Sequence, residues 1–358
     1  MARRIRRPLG PLDLRSQAIL RAVIEEYITT AQPVGSLALV ERYRLGVSSA
    51  TVRHILAELE IAGLLTHPHT SAGRMPTDAG YRFYVESIVE ASPSPLPAVE
   101  QLMIRHQFGQ VEYASEHWFR LAATTLAGLT RSAGLATPAK PSAAHIRRVD
   151  LVAVNDRMAS LILVLREGSI KQAAVSLDDS EVIDQATLNR VAGLLNERLL
   201  EATAAAAEAT LARFDEAEPT QRIARHVGER IVRILREYDA ATVEEVFSDG
   251  LLNVMEAPEF AQSDKLRQVF TALESRAFLG ELVDSVAGSN RIRVVIGAEN
   301  PRAEMHDVSL VLAPYGRPGR ALGVVGVLGP TRMSYPHAIG TVTFVSGLMN
   351  ELVDHLYA

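Results

Sequence analysis

Hydroxyl, arginine and histidine side chains concentrate in two short stretches near the N-terminus. The first stretch, SSATVRH, spans residues 48–54, and the second, HTSAGR, spans residues 69–74. Hydroxyl and guanidinium groups donate hydrogen bonds to phosphate oxygens, and arginine and histidine also reach base edges. These residue types, brought together on neighbouring elements, would suit the binding of a nucleic acid.

The first stretch opens a predicted helix. Four apolar residues recur there at helical spacing and are expected to face the core: Val52, Ile55, Leu56 and Leu59. The same spacing turns Arg53 and His54 outward, between the small residues Ala50 and Ala57. Because small neighbours let a helix approach a DNA groove closely, Arg53 and His54 are candidates for contacts to bases or phosphates.

The N-terminal turn of this helix carries three hydroxyl groups, on Ser48, Ser49 and Thr51. Ser48 or Ser49 is expected to cap the helix, because a serine oxygen accepts a hydrogen bond from a free backbone N–H group at that position. The remaining N–H groups of a helix N-terminus favour anions such as phosphate. This turn is therefore a second candidate for DNA contacts.

The second stretch lies in a predicted hairpin, in which GLLTHPH and GRMPT form two short strands. Its loop combines polar and small residues that suit a contact to the DNA backbone: His69, Thr70, Ser71, Gly73 and Arg74. Helix, turn, helix and two-stranded loop is the order of a winged helix-turn-helix. The alternative is an ordinary three-helix domain with a hairpin, since many helix-turn-helix folds bind only protein.

The charge and composition of the chain restrict its function. A net charge of −5 argues against a protein that coats nucleic acid over its whole surface, but it is compatible with a local basic face. The start of the chain, with Arg3, Arg4, Arg6 and Arg7, would add sequence-independent attraction to DNA. The absence of cysteine removes disulfides and thiolate chemistry and fits a reducing cytoplasm. No apolar run is long enough to cross a membrane.

Motifs for catalysis and cofactor binding are missing from the sequence. GVVGVLGP, at residues 323–330, spaces its glycines by three, but it lies within a strand pattern and is expected to be a closely packed sheet segment. His67 and His69 lack a third ligand at suitable spacing, so a zinc site is not expected. The sequence therefore predicts a protein that is not an enzyme and holds no cofactor or metal.

The remaining sequence predicts a mixed α+β protein of two or three domains. ASPSPLPA, at residues 91–98, is expected to be a linker. Residues 146–177 have the pattern of a three-stranded antiparallel meander, and helical sequence continues to about residue 240. The helix-rich segment 180–240 is either a layer on the core or a dimerisation surface, since a palindromic DNA site requires a two-fold protein.

The run PVGS…VSSATVRHILAELEIAGLLTHPHTSAGRMPTDAGYRFYV closely resembles the HrcA family of heat-inducible transcription repressors. Four later segments fit the same family in order: DGLLNVMEAPEF, VVIGAEN, LVLAPY and GVVGVLGPTRMSYP. The resemblance covers nearly the whole chain. PHTSAGRMPTDAGYRFYV is a long match and is therefore much more specific than any short motif.

The resemblance implies a dimeric repressor with an N-terminal winged helix-turn-helix, a GAF-like α/β domain and an inserted α+β dimerisation domain. We expect the winged helix-turn-helix at residues 1–90 and the linker at residues 91–98. The GAF-like domain would comprise residues 99–144 and 241–358. The meander and the helices that follow it, residues 145–240, are assigned to the insert.

The family resemblance also implies partners and a mode of control. HrcA proteins bind an inverted-repeat operator, CIRCE, in double-stranded DNA upstream of chaperone operons. The resemblance further implies that a GroEL-type chaperonin keeps the repressor active until heat occupies the chaperonin with unfolded proteins. By motif, the recognition helix corresponds to Ser48 through Arg53 and the wing to Pro68 through Arg74. This chain departs from many members at His54, where they have a small polar residue. The alternative function is a transcription regulator gated by a small molecule in the GAF-like domain.

Overall fold

A computed structural model describes the protein over the following residues: 12–68, 73–89, 95–110, 115–141, 143–155, 157–166, 168–177, 184–240, 246–260, 271, 275, 281, 286, 291–317 and 321–356. The chain forms two compact units. Unit 1 comprises Met1–Pro138, Glu245–Tyr315 and Gly323–Met349, and unit 2 comprises Ala139–Glu244, Gly316–Leu322 and Asn350–Ala358. The mixture of helices and sheets confirms the α+β class, whereas the finer domain boundaries stay a prediction.

The first part of unit 1, residues 12–89, is called the N-terminal module below. Its elements are α1 (Leu14–Thr30), α2 (Ser36–Tyr43), α3 (Ser49–Ile61), β1 (Leu65–Thr66), β2 (Met75–Pro76) and α4 (Asp78–Tyr84), which continues as a π-helical turn over Val85–Val89. Side chains cap three of these helices: Asp13, Ser48 and Thr77. The fourth, α2, begins at Ser36 after an extended Gly35.

Helices α1 and α3 contribute the apolar centre of this module. The four predicted core residues of α3 are all buried, as expected: Val52, Ile55, Leu56 and Leu59. Glu26 on α1 is also buried, and its carboxylate pairs with Arg42 and accepts a hydrogen bond from the Tyr43 hydroxyl at 3.4 Å. Because a buried charge is costly without a partner, these contacts attach α2 to α1.

Tyr84, at the end of α4, gives the module a pH dependence. Burial, together with the nearby Glu25 carboxylate, raises the pKa of Tyr84 to about 12, although Arg21 lowers it. A phenol whose folded pKa is raised stabilises the fold below its unfolded pKa of 10.0 and loses this contribution as pH rises toward the folded value. We therefore expect the free energy of unfolding to fall by about 2–3 kcal/mol between pH 10 and 12 because of the Tyr84 hydroxyl.

The Tyr84→Phe variant tests this expectation. Its unfolding free energy should lie within about 1 kcal/mol of the wild type near pH 8 and exceed that of the wild type above about pH 11. Urea unfolding can be followed by the fluorescence of the single tryptophan, Trp118, which is buried in unit 1. Parallel pH profiles for the two proteins would contradict the assignment to Tyr84.

The rest of unit 1 is built on an open sheet. The strands lie in the order β8 (Phe247–Asp249), β3 (Ala133–Ala136), β11 (Ala321–Pro330), β10 (Val308–Arg317) and β9 (Arg293–Ile296). A short strand of unit 2, β4 (Lys140–Pro141), pairs with the first two residues of β11, Ala321 and Leu322, which also belong to unit 2. The helices of this part are α5 (Ala98–Gly109), α6 (Ser115–Thr130), α10 (Leu251–Met255) and α11 (Tyr335–Leu356).

The glycine-rich segment GVVGVLGP lies within β11, which confirms that it is a sheet segment. A Cβ atom on Gly326 would collide with the backbone oxygen of Val311 on β10. A Cβ atom on Gly323 would collide with the ring of Tyr315. The glycines therefore allow close packing of β11 against its neighbours.

Asn300 organises the chain between β9 and β10. Its buried Nδ2 lies 2.9 Å from the oxygen of Gly297 and 3.0 Å from the oxygens of Met305 and Val308. The amide thereby connects a 3-10 turn, Gly297–Glu299, to the start of β10. Gly297 O also accepts a hydrogen bond from Asn300 N at 3.0 Å, so the side chain and backbone of Asn300 together hold the turn in shape.

Unit 2 contains the predicted meander, and its order β5–β6–β7 with antiparallel pairing confirms that prediction. The strands are β5 (Ile146–Asn155), β6 (Met158–Leu165) and β7 (Ile170–Ser176), and the helices are α7 (Gln185–Leu199), α8 (Ala204–Leu211) and α9 (Pro219–Ala240). One face of the sheet and the apolar faces of the helices form a shared core. Within the described ranges, no helix of either unit is both long and apolar enough to cross a bilayer.

Two amide side chains of α7 cover the outer edge of β5. Asn196 accepts a hydrogen bond from Val149 N and donates one to Val149 O, at 2.8 and 2.7 Å. Gln185 accepts from Ala153 N and donates to Leu151 O, both at 2.8 Å. Backbone groups of an edge strand that no neighbouring strand could pair are thus satisfied within the unit.

Candidate nucleic-acid interface

The N-terminal turn of α3 is held by its own hydroxyl groups. Ser48 Oγ accepts a hydrogen bond from Thr51 N at 3.2 Å and lies 3.0 Å from Thr51 Oγ1, so Ser48 is the cap. Ser49 Oγ lies 3.0 Å from Ser36 Oγ at the start of α2. The N-terminal ends of two helices therefore meet here, and their partial positive charges favour an anion at this surface.

The outward face of α3 presents Ala50, Arg53 and His54, all exposed. Among the residues that the structure describes, no ion-pair partner is found for Arg53, so its guanidinium group is available to a ligand. His54 Nε2 lies 3.4 Å from Glu58 Oε1 one turn further along the helix. Both side chains of this pair are more than half exposed, so water weakens their attraction.

The hairpin after α3 forms as predicted at its base, where β1 pairs antiparallel with β2. His69, Thr70 and Ser71, in its loop, lie outside the described residues. The same holds for the arginine-rich start of the chain. The assignment of these side chains to DNA contacts stays a prediction.

Gly73 and Arg74 lie at the base of the hairpin, against the connection between α1 and α2. Arg74 exchanges two backbone hydrogen bonds with Val34, at 2.8 and 2.9 Å. A Cβ atom on Gly73 would come within 2.5–2.6 Å of the backbone of Pro33 and Val34, so only glycine fits there. Both residues therefore have a structural role in this module.

Glu60 joins α3 to both sides of the hairpin. Its carboxylate lies 2.7 Å from Arg74 Nε and also contacts His67 Nδ1. The Arg74 and Glu60 side chains are each 23% exposed, so the pair is partly shielded from water. Arg74, which the sequence suggests as a phosphate contact, is thus engaged inside the module, and its role in DNA binding stays a prediction.

Sequence reasoning missed Glu60 and the contact of Ser36 with Ser49. Glu60 is seven residues from His67 and fourteen from Arg74, and no rule of helix or strand spacing connects positions so far apart across a turn. Ser36 has the residue type of a helix cap, but it lies one position inside the helix. Its hydroxyl is therefore free to contact Ser49.

His67 is one of the two hairpin residues, with Arg74, that contact the Glu60 carboxylate. In the described part of the chain, no group of three or more histidine, cysteine or acidic side chains is arranged to hold a metal ion. The contact with Glu60 gives His67 a structural reason to be there.

Comparison with known proteins identifies the family. A family model for the HrcA protein C-terminal domain matches residues 116–339, well over half of the chain. This chain belongs to the HrcA family. Among its HrcA relatives, the heat-inducible transcription repressor HrcA of Roseiflexus castenholzii is 41% identical over 345 residues, covering 96% of this chain and 95% of the relative. The protein of the same name from Herpetosiphon aurantiacus is 41% identical over 347 residues, covering 97% and 96%.

The range matched by the HrcA family model, residues 116–339, does not include the segments SSATVRH and HTSAGR. The two relatives, in contrast, align with nearly the full chain. The similarity therefore extends to the N-terminal module. A solved crystal structure of a hypothetical protein matches the fold, with a TM-score of 0.64, 22% identity and coverage of 97% of this chain and 100% of that one. At 22% identity this match supports only the fold of the chain and carries nothing about its function.

Proposed function

We propose that this HrcA-family chain is a homodimeric repressor that binds an inverted-repeat, CIRCE-type operator in double-stranded DNA upstream of heat-shock chaperone operons. It would act in the cytoplasm as a regulator and not as an enzyme. The observation that carries the proposal is the outward face of α3, where Arg53 is exposed without an ion-pair partner among the described residues, beside a cluster of hydroxyl groups.

In this proposal α3 is the recognition helix of a winged helix-turn-helix. Arg53 would reach base edges in the major groove, since a guanidinium group donates two parallel hydrogen bonds to guanine. Ser48, Ser49 and Thr51, at the positive end of the helix, would contact the phosphates that flank these bases. The loop of His69, Thr70, Ser71, Gly73 and Arg74 would lie along the adjacent sugar–phosphate backbone.

The domain organisation follows the same proposal. Residues 1–90 would be the winged helix-turn-helix, residues 91–98 the linker, and residues 99–144 with 241–358 the GAF-like domain. Residues 145–240 would be the inserted dimerisation domain. The compactness of unit 2, most of which is Ala139–Glu244, supports an insert in this part of the chain. An inverted repeat presents two equivalent half-sites, so two copies of α3 are needed to occupy it.

Control by temperature is the regulatory part of the proposal. The relatives carry the name of heat-inducible repressors, which supports loss of repression on heating. A GroEL-type chaperonin would maintain the active fold and become occupied by unfolded proteins in heat stress. In vitro, heating the repressor alone should reduce its operator-binding fraction, and adding chaperonin with ATP should restore it. Full retention of binding after heating without chaperonin would contradict this part.

Operator binding by the Arg53→Ala variant tests the proposed site. Fluorescence anisotropy compares an inverted-repeat duplex with a duplex of scrambled half-sites at fixed salt. If Arg53 contacts a base, we expect the operator affinity to fall by about 1–3 kcal/mol and the affinity for scrambled DNA to change little. The exposed Arg105 on α5, outside both the winged helix-turn-helix and the proposed dimerisation domain, provides a matched control, Arg105→Ala, that should leave both affinities unchanged.

Two outcomes would count against the proposal. Equal losses on both duplexes would make Arg53 a phosphate contact instead of a base contact. Equal affinity of the wild-type protein for the operator and the scrambled duplex would reject sequence-specific binding by α3 altogether.

A further inference from the structure

Helix α4 is attached by polar contacts to the turn between β9 and β10. Arg82 Nε donates to Glu299 Oε1 at 2.7 Å. Arg82 Nη2 contacts Glu299 Oε2 and donates to Val294 O at 2.7 Å. Asp78, one helical turn earlier, accepts a hydrogen bond from Ala298 N at 2.9 Å. We call these five residues the α4 clamp.

The turn that binds Arg82 and Asp78 is itself held in shape by local contacts. Glu299 Oε2 also accepts a hydrogen bond from Ile296 N at 2.9 Å, and this bond orients the carboxylate toward Arg82. Gly297 has a φ of +48°, and a Cβ atom there would lie 2.5–2.6 Å from the Asp78 carboxylate. The fork of Arg82 therefore meets both carboxylate oxygens, a geometry that fixes orientation as well as distance.

Two further contacts lie apart from the clamp. The rings of Tyr81 on α4 and Tyr335 at the start of α11 pack with centroids 5.7 Å apart and planes tilted by 50°. Arg332 donates to the backbone oxygen of Ile28 on α1 at 3.2 Å and to Glu259 at 2.5 Å. Contacts at three separate places define the orientation of the N-terminal module on the sheet part of unit 1.

We propose that Asp78, Arg82 and Glu299 are positioning residues for operator binding, because they fix the N-terminal module at one orientation and so select the spacing between half-sites. The inference rests on the proposed function. One added base pair moves a half-site by about 3.4 Å and rotates it by about 34–36° around the duplex. A module that is held in one orientation cannot follow such a change, whereas a loosened module can.

Binding to operators with altered spacing is the first test. The wild-type affinity should fall by about tenfold or more when one base pair is added or removed between the half-sites, since both modules must engage together. Arg82→Glu should lower the affinity for the native spacing by about tenfold and flatten the dependence on spacing, with binding to a single half-site changed by less than about twofold. The double variant R82E/E299R restores the charge pair but not the acceptor for Ile296 N, so it should recover the spacing dependence in part.

Control variants separate positioning from general damage. Arg21 and Glu25 form an exposed pair within α1 of the same module, and Arg21→Glu should leave the spacing profile unchanged. Glu299→Gln retains the shape of the side chain and its acceptor for Ile296 N while removing the charge, so it replaces R82E if that variant does not fold. A spacing profile that is identical in E299Q, R82E and the wild type would overturn the proposal.

A distance measurement tests the clamp without DNA. The chain contains no cysteine, so two introduced cysteines can carry spin labels specifically. We choose the exposed positions Glu41→Cys on α2 and Thr343→Cys on α11, both in the same chain. In full-length protein diluted with unlabelled chains, we expect a narrow distance distribution in the wild type, a broad one in R82E and one of intermediate width in R82E/E299R. An unchanged distribution in R82E would reject the clamp even if operator binding is found. A wild-type protein that ignores the operator, with broadening in R82E, would reject the proposed function and leave the clamp standing.

Discussion

Asn300→Asp is expected to lower the free energy of unfolding by about 3–5 kcal/mol near neutral pH, because it leaves an unpaired charge in a buried site. The side chain faces three backbone oxygens at 2.9–3.0 Å, and a carboxylate has no hydrogen atom to offer them. The same repulsion would raise the pKa of the new carboxyl group above its unfolded value. The loss should therefore be greatest at neutral pH and shrink as the pH falls toward about 4.

Urea unfolding monitored by Trp118 fluorescence at several pH values measures this effect. Asn155→Asp is the matched control, because the exposed Asn155 accepts a hydrogen bond from Arg157 N through Oδ1 and an aspartate oxygen can replace it. That control should change the unfolding free energy by less than about 0.5 kcal/mol. A small, pH-independent effect of Asn300→Asp would show that the three carbonyl groups are satisfied in another way.

Gly80→Ala should destabilise unit 1 by several kcal/mol. A Cβ atom at Gly80 would collide with the backbone oxygen of Leu64, which accepts a hydrogen bond from Thr77 N at 3.1 Å. The Thr77 hydroxyl donates to Gly63 O at 2.7 Å, so the chain before β1 is held to the start of α4 at two points. Because a backbone group at such a contact cannot move away cheaply, overpacking should cost about 1–3 kcal/mol and the lost hydrogen bonds a further 1 kcal/mol or so each.

Gly128→Ala is the control for this substitution. Gly128 lies in α6, in the same unit, and an added Cβ atom would meet no other atom within 4 Å. Alanine should therefore stabilise the helix there by up to about 1 kcal/mol, since glycine loses more backbone entropy on folding. If both variants shift the urea midpoint in the same direction, the proposed steric contact at Leu64 is wrong.

Local pattern was sufficient to predict the elements that carry the candidate site. The spacing of Val52, Ile55, Leu56 and Leu59 predicts which face of α3 is buried, and therefore which face presents Arg53. Alternation and short turns likewise predict the antiparallel meander, because a strand pairs with its neighbour in sequence. These features depend on residues a few positions apart, where backbone geometry restricts the choices.

Contacts between distant parts of the chain could not be predicted in this way. Arg82 and Glu299 are 217 residues apart, and nothing in either local sequence distinguishes them from solvated surface charges. Asn300 likewise resembles a loop asparagine until the surrounding carbonyl groups are known. Such pairings follow from the packing of whole elements, which a single sequence does not encode in any short-range period.

The side chains of Asn196 and Gln185 along β5 limit how sheets of unit 2 could grow. A sheet polymerises when each added strand offers a fresh set of unpaired amides and carbonyls to the next molecule. With the β5 side occupied by α7, β7 is the other edge of the sheet among the described residues, and two molecules joined through β7 would present occupied sides at both ends. Such growth would end at a pair, so thermal loosening elsewhere in the chain would not by itself make this sheet the seed of a fibre.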